Sequence, residues 1–476
     1  MPSSNNVFAA FAERAAQNPS ADALIFTDMT MSYGQLKRLA IAFSIHMANA
    51  GVNSNSTLML QSADLPVVLA TLFAASRLGA RVLQYNDDIP LPEGIYVTHN
   101  FHTVDPAQPS PKGSIEINAG WSPTHTQGEV SEDKLDDGDV PWLFVFTSGT
   151  TGNPKFVGLS QAMVCARSKA VADEFVAGKT RFASLIPCDT RPFIARAMGA
   201  LLNGAVIVGG HDVDFWIRAG VTMVSGSAGQ MVPFFKNLNV SARFAIAEVL
   251  GSKPLASDVR ILLNSFKIVQ DVVGASEANK VFANVSTLTP DGRVVSKGVK
   301  RDTEISMVDA DGNPVPPGQE GILRLKNGYL AKAYIGDPEA SALAFRDGWF
   351  YPGDVASWGD EGTLRIQNRN DNVVNIRGLK VNAFAIDQIF KSVDGIRDAV
   401  CFRNPKPNAV DELFAFVVFG EGANRLQATE SARFLCREKL GESMVPRIIR
   451  AVGGIPRKPD GAPDRKACAD IILKMQ

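Results

Sequence analysis

Histidine and cysteine are scarce in this chain of 476 residues, which contains five of each. The histidines form no HExxH or other paired-ligand pattern, so a zinc site is not expected. The cysteines include no CxxC pair and no spacing typical of metal ligands. Free thiols in a reducing cytoplasm are the simplest interpretation of the cysteines.

A strong net charge and long apolar runs are lacking as well. The formal net charge is −1, which argues against a general nucleic-acid binder because such proteins carry a basic excess. The apolar segment 65–75 is soon followed by Arg77 and Gly79, so no membrane span is expected. Glu13 and Arg14 lie inside the first helical pattern, which is not typical of a signal peptide. We therefore expect a cytoplasmic protein, monomeric or homodimeric.

The length and the local patterns predict more than one domain, because single cores rarely grow beyond about 250–300 residues. In the first part of the chain, helical and strand patterns alternate, and Ser32 with Gln35 forms a capping box at one helix start. A strand at 57–60 and a helix at 66–78 continue the alternation, which returns from 182 to 273. Such alternation predicts a mostly parallel sheet covered by helices.

The pattern of predicted secondary structure changes in the last third of the chain. Short strands and turns from about 287 to 367 predict a small β subdomain. The polar stretch 367–372 is the predicted linker. The expected fold class is therefore α/β: a large N-terminal domain of doubly wound sheets (1–368) that includes the β subdomain, and a small α+β C-terminal domain (369–476).

The most informative segment is a loop rich in glycine and hydroxyl groups. It follows the apolar run 142–146, a predicted buried strand, and reads Thr147-Ser148-Gly149-Thr150-Thr151-Gly152-Asn153-Pro154-Lys155. The glycines allow close backbone approach to a ligand, and the hydroxyls, amides and lysine are donors for a polyphosphate. It is not a Walker A loop, because Gly-Lys-Ser/Thr is missing. The alternative is a polar turn that joins two strands.

The loop resembles the phosphate-binding segment of the adenylate-forming superfamily, which includes acyl-CoA synthetases, non-ribosomal peptide synthetase adenylation domains and luciferases. Further segments resemble the family's other motifs in the same order: 31–36, 272–277, 348–354, 369–381 and 455–465. The resemblance covers nearly the whole chain, and its order and spacing argue against chance agreement.

The resemblance implies a carboxylate–AMP ligase that uses ATP and Mg²⁺ to form an acyl adenylate from a small carboxylic acid. The acyl group would then pass to the thiol of coenzyme A. The C-terminal domain would be a mobile lid that rotates about Asp371 between the two half-reactions, and Gly378 would line the approach of the thiol.

The resemblance also assigns roles to residues of the site. Glu277, Thr150 and Lys155 would be catalytic, and Glu277 would bind the metal, since one carboxylate with phosphate oxygens and waters suits Mg²⁺. Asp354, which follows Gly353 in a predicted tight turn, would hold the ribose hydroxyls. The full set implied to bind nucleotide is Thr147, Ser148, Gly149, Thr150, Thr151, Gly152, Lys155, Gly274, Ala275, Ser276, Asp354 and Arg369.

Each of these assignments has a plainer alternative. Glu277 could be a solvated glutamate that begins a helix, and Asp354 could cap a turn. Arg369 could be a surface arginine, and any loop aspartate would look like the hinge residue Asp371.

Several positions depart from the family pattern. Val273 replaces the aromatic residue that stacks on adenine, and Phe156 replaces a glycine after Lys155. The family's glycine-rich adenine-pocket segment is altered at 250–254, and no histidine stands near 189–191. Arg191 and Arg196 could face an anionic substrate there, although surface or helix-end positions are the favoured interpretation.

The largest departure is Ala462, where the family has the lysine that reaches the α-phosphate and the attacking carboxylate. The flanking residues are intact, which favours a Lys→Ala change introduced at this position over natural loss, and both explanations stay open. Adenylation would be impaired in either case.

Three functions therefore remain in view. The first is the coenzyme A ligase described above. The second is a stand-alone enzyme that loads an acyl or aminoacyl group onto the pantetheine of a carrier protein. The third is a catalytically silent protein that binds a nucleotide or an acyl adenylate.

Overall fold

The computed structural model describes residues 4–84, 91–104, 113–127, 140–147, 155–238, 244–251, 254, 256–309, 311–369, 373–376, 379–403, 412–456, 463 and 465–474. Contacts divide the chain into two compact units. The first contains Met1–Thr147 and Lys155–Asn368, and the second contains Arg369–Gln476.

The described helices are α1 (Val7–Gln17), α2 (Tyr33–Asn49), α3 (Leu65–Leu78), α4 (Gln161–Lys169), α5 (Arg191–Asn203), α6 (Val213–Arg218), α7 (Ala228–Phe235), α8 (Ala256–Leu262), α9 (Pro338–Ala344), α10 (Ala383–Lys391), α11 (Arg425–Leu440) and α12 (Arg465–Lys474). Helix α2 begins at the predicted capping box: Ser32 Oγ accepts from the backbone N–H of Gln35, whose side chain accepts from the backbone N–H of Ser32.

The described strands of the first unit are β1 (Asp22–Ile25), β2 (Thr30–Ser32), β3 (Thr57–Gln61), β4 (Arg81–Gln84), β5 (His99–His102), β6 (Ile115–Glu116), β7 (Pro141–Thr147), β8 (Lys155–Ser160), β9 (Arg181–Ser184), β10 (Val206–Val208), β11 (Met223–Gly226), β12 (Phe244–Val249), β13 (Phe266–Ala275), β14 (Asn279–Leu288), β15 (Val294–Lys300), β16 (Glu304–Val308), β17 (Gly321–Lys326), β18 (Phe345–Arg346), β19 (Trp349–Phe350), β20 (Asp354–Trp358) and β21 (Leu364–Arg369). Those that follow are β22 (Val373–Ile376), β23 (Leu379–Asn382), β24 (Ile396–Arg403), β25 (Leu413–Phe419) and β26 (Ile448–Ala451).

The largest sheet has nine strands in the order β15-β14-β13-β12-β11-β9-β10-β1-β2. Its central strands run parallel, and β14, β15 and β2 are antiparallel additions at the edges. One hydrophobic core packs it against helices α1–α5, and a second core covers its other face with α6, α7 and α8. Helices therefore cover both faces, which confirms the predicted doubly wound α/β class.

A six-stranded sheet, in the order β6-β5-β3-β4-β7-β8, shares the first core through α1–α5. It is parallel except at β7 and β8, which form an antiparallel hairpin. In its register, Thr147 pairs with Lys155. The predicted phosphate loop therefore leaves and re-enters this sheet at neighbouring positions.

A second six-stranded sheet follows, in the order β18-β19-β17-β20-β21 with β16 paired to β17. It begins at Glu304, later than the predicted 287, because β14 and β15 continue the ladder of the large sheet. Strand β21 runs to Arg369 and so occupies the first part of the predicted linker. Strand β17 alternates between buried and half-buried residues as predicted.

The second unit has a three-stranded sheet, β24-β25-β26, and the hairpin β22-β23. Apolar residues of α10 and α11 pack on one face of this sheet, and those of α12 pack on the other. Arg465, the first residue of α12, donates from Nη2 to Asp387 Oδ2 at 2.6 Å. This half-buried ion pair ties the start of α12 to α10.

Candidate functional site

The hairpin β7–β8 positions the two ends of the predicted phosphate loop. Thr147 ends β7 and Lys155 begins β8, and the Lys155 side chain is buried, with an exposed fraction of 8%. Phe156, the departure from the family glycine, is buried against Leu83 and Phe144. Ser148, Gly149, Thr150, Thr151, Gly152, Asn153 and Pro154 lie outside the described residues.

Glu277 lies in the turn between β13 and β14, and not at the start of a helix. The ladder has a bulge between Val273 and Gly274. A Cβ atom on Gly274 would stand 2.6 Å from the carbonyl oxygen of Asn279, so only glycine fits there. Asn279 has a φ of 65°, a left-handed conformation that asparagine tolerates better than most residues. The local backbone therefore specifies a tight turn that presents Glu277.

Arg167 of α4 holds this turn from behind. Its guanidinium donates to the carbonyl oxygens of Ser276 at 2.9 Å, of Glu277 at 2.8 Å and of Tyr329 at 2.9 and 3.1 Å. The N–H of Ala331 donates to the same Glu277 carbonyl at 2.7 Å. Because these carbonyls are tied to a buried arginine, the turn has little freedom to move.

The carboxylate of Glu277 and the ammonium of Lys155 meet at one side chain, Tyr334. The hydroxyl of Tyr334 donates to Glu277 Oε1 at 2.9 Å, and Lys155 Nζ lies 4.9 Å from the centroid of the Tyr334 ring. The second distance is that of a cation–π contact. Glu277 and Lys155, predicted from separate motifs, thus belong to one cluster.

Positive charge surrounds the Glu277 turn. Burial is the largest effect on the Arg167 guanidinium and the charge of Arg191 is the second, and together they lower its pKa to about 9. The charge of Glu277 acts in the opposite direction. Burial also lowers the pKa of Arg191 to about 10, again opposed by Glu277. Both arginines remain charged at neutral pH. Together with Lys155 they favour an anionic ligand beside Glu277.

Arg191 and Arg196 have different environments. Arg191 begins α5, as the helix-end interpretation expected, and its Nη2 donates to the carbonyl of Ala275 at 3.0 Å. The surface interpretation of Arg196 is wrong, because its side chain is buried and its Nε lies 3.0 Å from Glu248 Oε2. A buried arginine needs a counter-charge, and Glu248 supplies it.

Asp354 begins β20 directly after Gly353, whose φ of 80° confirms the tight turn there. Its side chain is half-buried. Strand β20 packs on the large sheet through Trp358, whose ring centroid lies 5.7 Å from that of Phe282. Phe282 pairs with Val273 on β13, the strand that leads into the Glu277 turn. Strand β20, which begins at Asp354, therefore packs on β14. Strand β14 in turn pairs with β13, which leads into the Glu277 turn.

Besides the loop residues, four predicted residues cannot be placed by their side chains. Arg369 is the last residue of β21, but only its backbone is described. Asp371, Gly378 and Ala462 lie outside the described residues.

Sequence reasoning missed Arg167 and Tyr334. Arg167 lies in a short helix with other polar residues, and nothing in its spacing distinguishes it from a surface arginine. Tyr334 lies between predicted elements. Their partners are 110 and 57 positions away along the chain, which local patterns do not reveal.

The described residues contain no group of three or more His, Cys, Asp or Glu side chains that could hold a metal ion. Glu277 is a single buried carboxylate, with Oε1 taken by the Tyr334 hydroxyl. A site of this kind fits Mg²⁺ only when phosphate oxygens and waters complete the coordination shell. The donors and charges around Glu277 are consistent with that arrangement.

Comparison with known proteins bears on the family. The model of the family described as AMP-binding enzyme matches residues 11–335. A feruloyl-CoA synthase from Amycolatopsis sp is 24% identical, over 94% of this chain and 95% of its own length. A medium/long-chain-fatty-acid–[acyl-carrier-protein] ligase, FadD10, from Mycobacterium tuberculosis is 25% identical, over 96% of this chain and 94% of its own length.

A solved structure agrees with these matches at the level of the fold. A mutant of o-succinylbenzoate CoA synthetase (MenE) from Bacillus subtilis superposes with a TM-score of 0.80 at 18% identity, over 97% of this chain and 98% of that one. None of the described helices is long and apolar enough to span a bilayer. The chain belongs to the family of AMP-binding enzymes, which is the adenylate-forming superfamily.

Proposed function

We propose that the protein is a carboxylate–AMP ligase that forms an acyl adenylate and passes the acyl group to the thiol of coenzyme A. The observation that carries the proposal is the meeting of Lys155 and Glu277 at Tyr334, in a chain of the AMP-binding family. A cation over the ring face and a carboxylate at the hydroxyl of one tyrosine would together suit a magnesium-bound polyphosphate.

The reaction has two balanced steps. In the first, an oxygen of the substrate carboxylate attacks the α-phosphorus of ATP, the bond from phosphorus to the bridging oxygen breaks, and pyrophosphate leaves. In the second, a deprotonated thiol attacks the acyl carbon and AMP leaves with the oxygen of the broken anhydride bond. Lys155 and the 147–152 loop would hold the β- and γ-phosphates, and Asp354 would accept hydrogen bonds from the ribose.

Glu277 would contribute one oxygen to Mg²⁺, which would neutralise phosphate charge. Arg167 and Arg191 would keep the backbone of residues 275–277 in place through the carbonyls they bind. Gly274, Ala275 and Arg369 would complete the nucleotide site. These roles rest on preorganised geometry, because groups that need not move during the reaction stabilise developing charge most effectively.

Ala462 would impair the first step in this chain. The family lysine at this position supplies a positive charge to the α-phosphate, and removal of one preorganised charge stabiliser costs on the order of 10²–10³ in rate. Single-turnover adenylation by this chain and by Ala462→Lys tests the point. Acceleration of that order is expected, with little change in ATP affinity.

Coenzyme A is the proposed acceptor, and two relatives that the chain matches over nearly their whole length bear on this choice. One of these relatives is named as a CoA synthase and the other as an acyl-carrier-protein ligase. The pantetheine of a carrier protein is thus the runner-up. Rotation about Asp371 and passage of the thiol along Gly378 are proposed for either acceptor. Thiolation assays that offer both acceptors to a preformed acyl adenylate separate them.

A second candidate is a catalytically silent protein that binds a nucleotide or an acyl adenylate, and Ala462 is the residue that favours it. ATP–pyrophosphate exchange by Ala462→Lys, measured across a panel of aliphatic and aryl acids, distinguishes the two. Exchange with any acid supports the ligase. Absence of exchange with every acid, while ATP still binds, supports the binding protein.

A further inference from the structure

The segment 329–335 connects the Glu277 turn to the strand that follows the phosphate loop. At one end, the Tyr329 carbonyl accepts from Arg167, and the Ala331 N–H donates to the Glu277 carbonyl at 2.7 Å. At the other end, the Ile335 N–H donates to the Phe156 carbonyl at 2.8 Å. One end of the segment is thus bonded to Glu277 and to Arg167, which binds the Glu277 turn. The other end is bonded to Phe156, the residue that follows Lys155.

Tyr334 is held firmly within this segment. Its backbone N–H donates to Ser341 Oγ at 2.8 Å, and its ring packs edge-on against Phe345 with centroids 5.2 Å apart. The side chain is 8% exposed. A tyrosine that cannot change rotamer fixes the position of its hydroxyl, and so the direction in which it holds a partner.

The two contacts of Tyr334 act on different groups. The hydroxyl occupies Glu277 Oε1, which leaves Oε2 of the same carboxylate as the oxygen available for a metal. The face of the ring lies under Lys155 Nζ. Groups that bind a metal ligand from behind commonly orient it, and their loss weakens metal binding roughly 10–100-fold.

We propose that Tyr334 is a positioning residue that orients the Glu277 carboxylate for Mg²⁺ through its hydroxyl and supports Lys155 through its ring. The proposal rests on the proposed function, since it takes Glu277 as the magnesium ligand. The hydroxyl and the ring of Tyr334 therefore have separate effects. The hydroxyl governs the magnesium-dependent part of ATP binding, and the ring governs the part that needs no metal.

The test is calorimetric titration of ATP, without acid substrate, in Mg²⁺ and in EDTA. Tyr334→Phe keeps the ring and removes the hydroxyl, so the gain in ATP affinity from Mg²⁺ should fall roughly 10–100-fold while affinity in EDTA stays unchanged. Tyr334→Ala should lower both affinities. The matched control is Tyr329→Phe, which removes a hydroxyl of the same segment that donates to the Asp302 carbonyl and should change neither. Ligand-free melting curves verify that each variant folds.

Glu277→Gln distinguishes failure of this proposal from failure of the proposed function. In that background Tyr334→Phe should have no further effect on the gain from Mg²⁺. If Glu277→Gln abolishes the gain but Tyr334→Phe preserves it, the positioning role is overturned and the ligase assignment stands. If Mg²⁺ gives no gain that depends on Glu277, the metal assignment and the positioning role are both overturned.

Discussion

Substitution of Lys280 by methionine should destabilise the first unit more than any surface change. Lys280 lies in β14 with its side chain fully buried, and its ammonium donates to Glu174, to Glu248 Oε1 at 3.0 Å and to Gln270 Oε1 at 2.7 Å. These bonds use all three ammonium hydrogens. Arg196 and Ser225 bind the second oxygen of Glu248, and Arg301 also binds Glu174.

The magnitude follows from what Lys280→Met leaves behind. Methionine has a similar volume, so the cavity cost is small. Glu248 and Glu174 each keep one cationic partner but lose the one they share. Among the described residues, Glu174 Oε2 already has no hydrogen-bond partner. Removal of one member of a buried ionic cluster typically costs about 3–5 kcal/mol. That is a large share of the roughly 5–15 kcal/mol that stabilises a typical native protein.

Denaturation followed by tryptophan fluorescence suits this measurement. The five tryptophans, at positions 121, 142, 216, 349 and 358, all belong to the first unit, so the signal reports on that unit. The control is Lys297→Met on the neighbouring strand β15, where the lysine is exposed and a change within about 0.5 kcal/mol is expected. A loss below about 1 kcal/mol for Lys280→Met would show that this ion network does not support the fold.

The same network predicts a pH dependence. Burial opposes ionisation of Glu248, but the charges of Arg196 and Lys280 outweigh burial, and its pKa is lowered in the folded protein. A carboxylate with a lowered folded-state pKa adds stability above its unfolded pKa, and this stability is lost as the pH falls towards the folded value. Wild type should therefore lose stability as the pH falls below about 4.5, with a smaller loss in Glu248→Gln.

Three further predictions concern the nucleotide site. Thr150→Ala with Thr151→Ala should weaken ATP binding by about 1.5–3 kcal/mol per lost bond, with little change in the ligand-free melting temperature; unaltered ATP affinity in calorimetry would contradict the phosphate role. Asp354→Ala should weaken ATP, AMP and adenosine alike, whereas Glu277→Ala should affect only the magnesium-dependent use of ATP; normal adenosine binding by the first variant would show the roles to be misassigned. Thiolation from a supplied acyl adenylate should be affected less by Ala462 than adenylation is, and equal restoration of both half-reactions by Ala462→Lys would refute this.

Local signals in the sequence predicted the elements well. The capping box at Ser32 and Gln35 is present with both of its hydrogen bonds, because the residues that make it are three positions apart. The strand before the phosphate loop and the tight turn at Gly353 follow equally local rules of burial and backbone conformation. Lys155 and Glu277 could be singled out because each lies in a segment with a recognisable order of residues.

Contacts distant in sequence could not be predicted in this way. Glu248 is the one charged residue of β12 and Lys280 is the one charged residue of β14, and neither strand shows that the other supplies the counter-charge. Arg167 resembles a surface arginine until α4 is packed beside the Glu277 turn. In each case the functional or structural role depends on a partner more than 30 positions away, which only the tertiary fold brings near.

Because contacts between distant segments build the site, the free-energy effects of substitutions within it should depend on one another. Lys155, Arg167, Glu277 and Tyr334 come from four separate segments, yet contacts link Tyr334 to Lys155 and Glu277, and Arg167 to the Glu277 backbone. Residues that share partners show coupled free energies of about 0.5–3 kcal/mol rather than additive ones. Changes at Tyr334 and Glu277 should therefore be strongly non-additive.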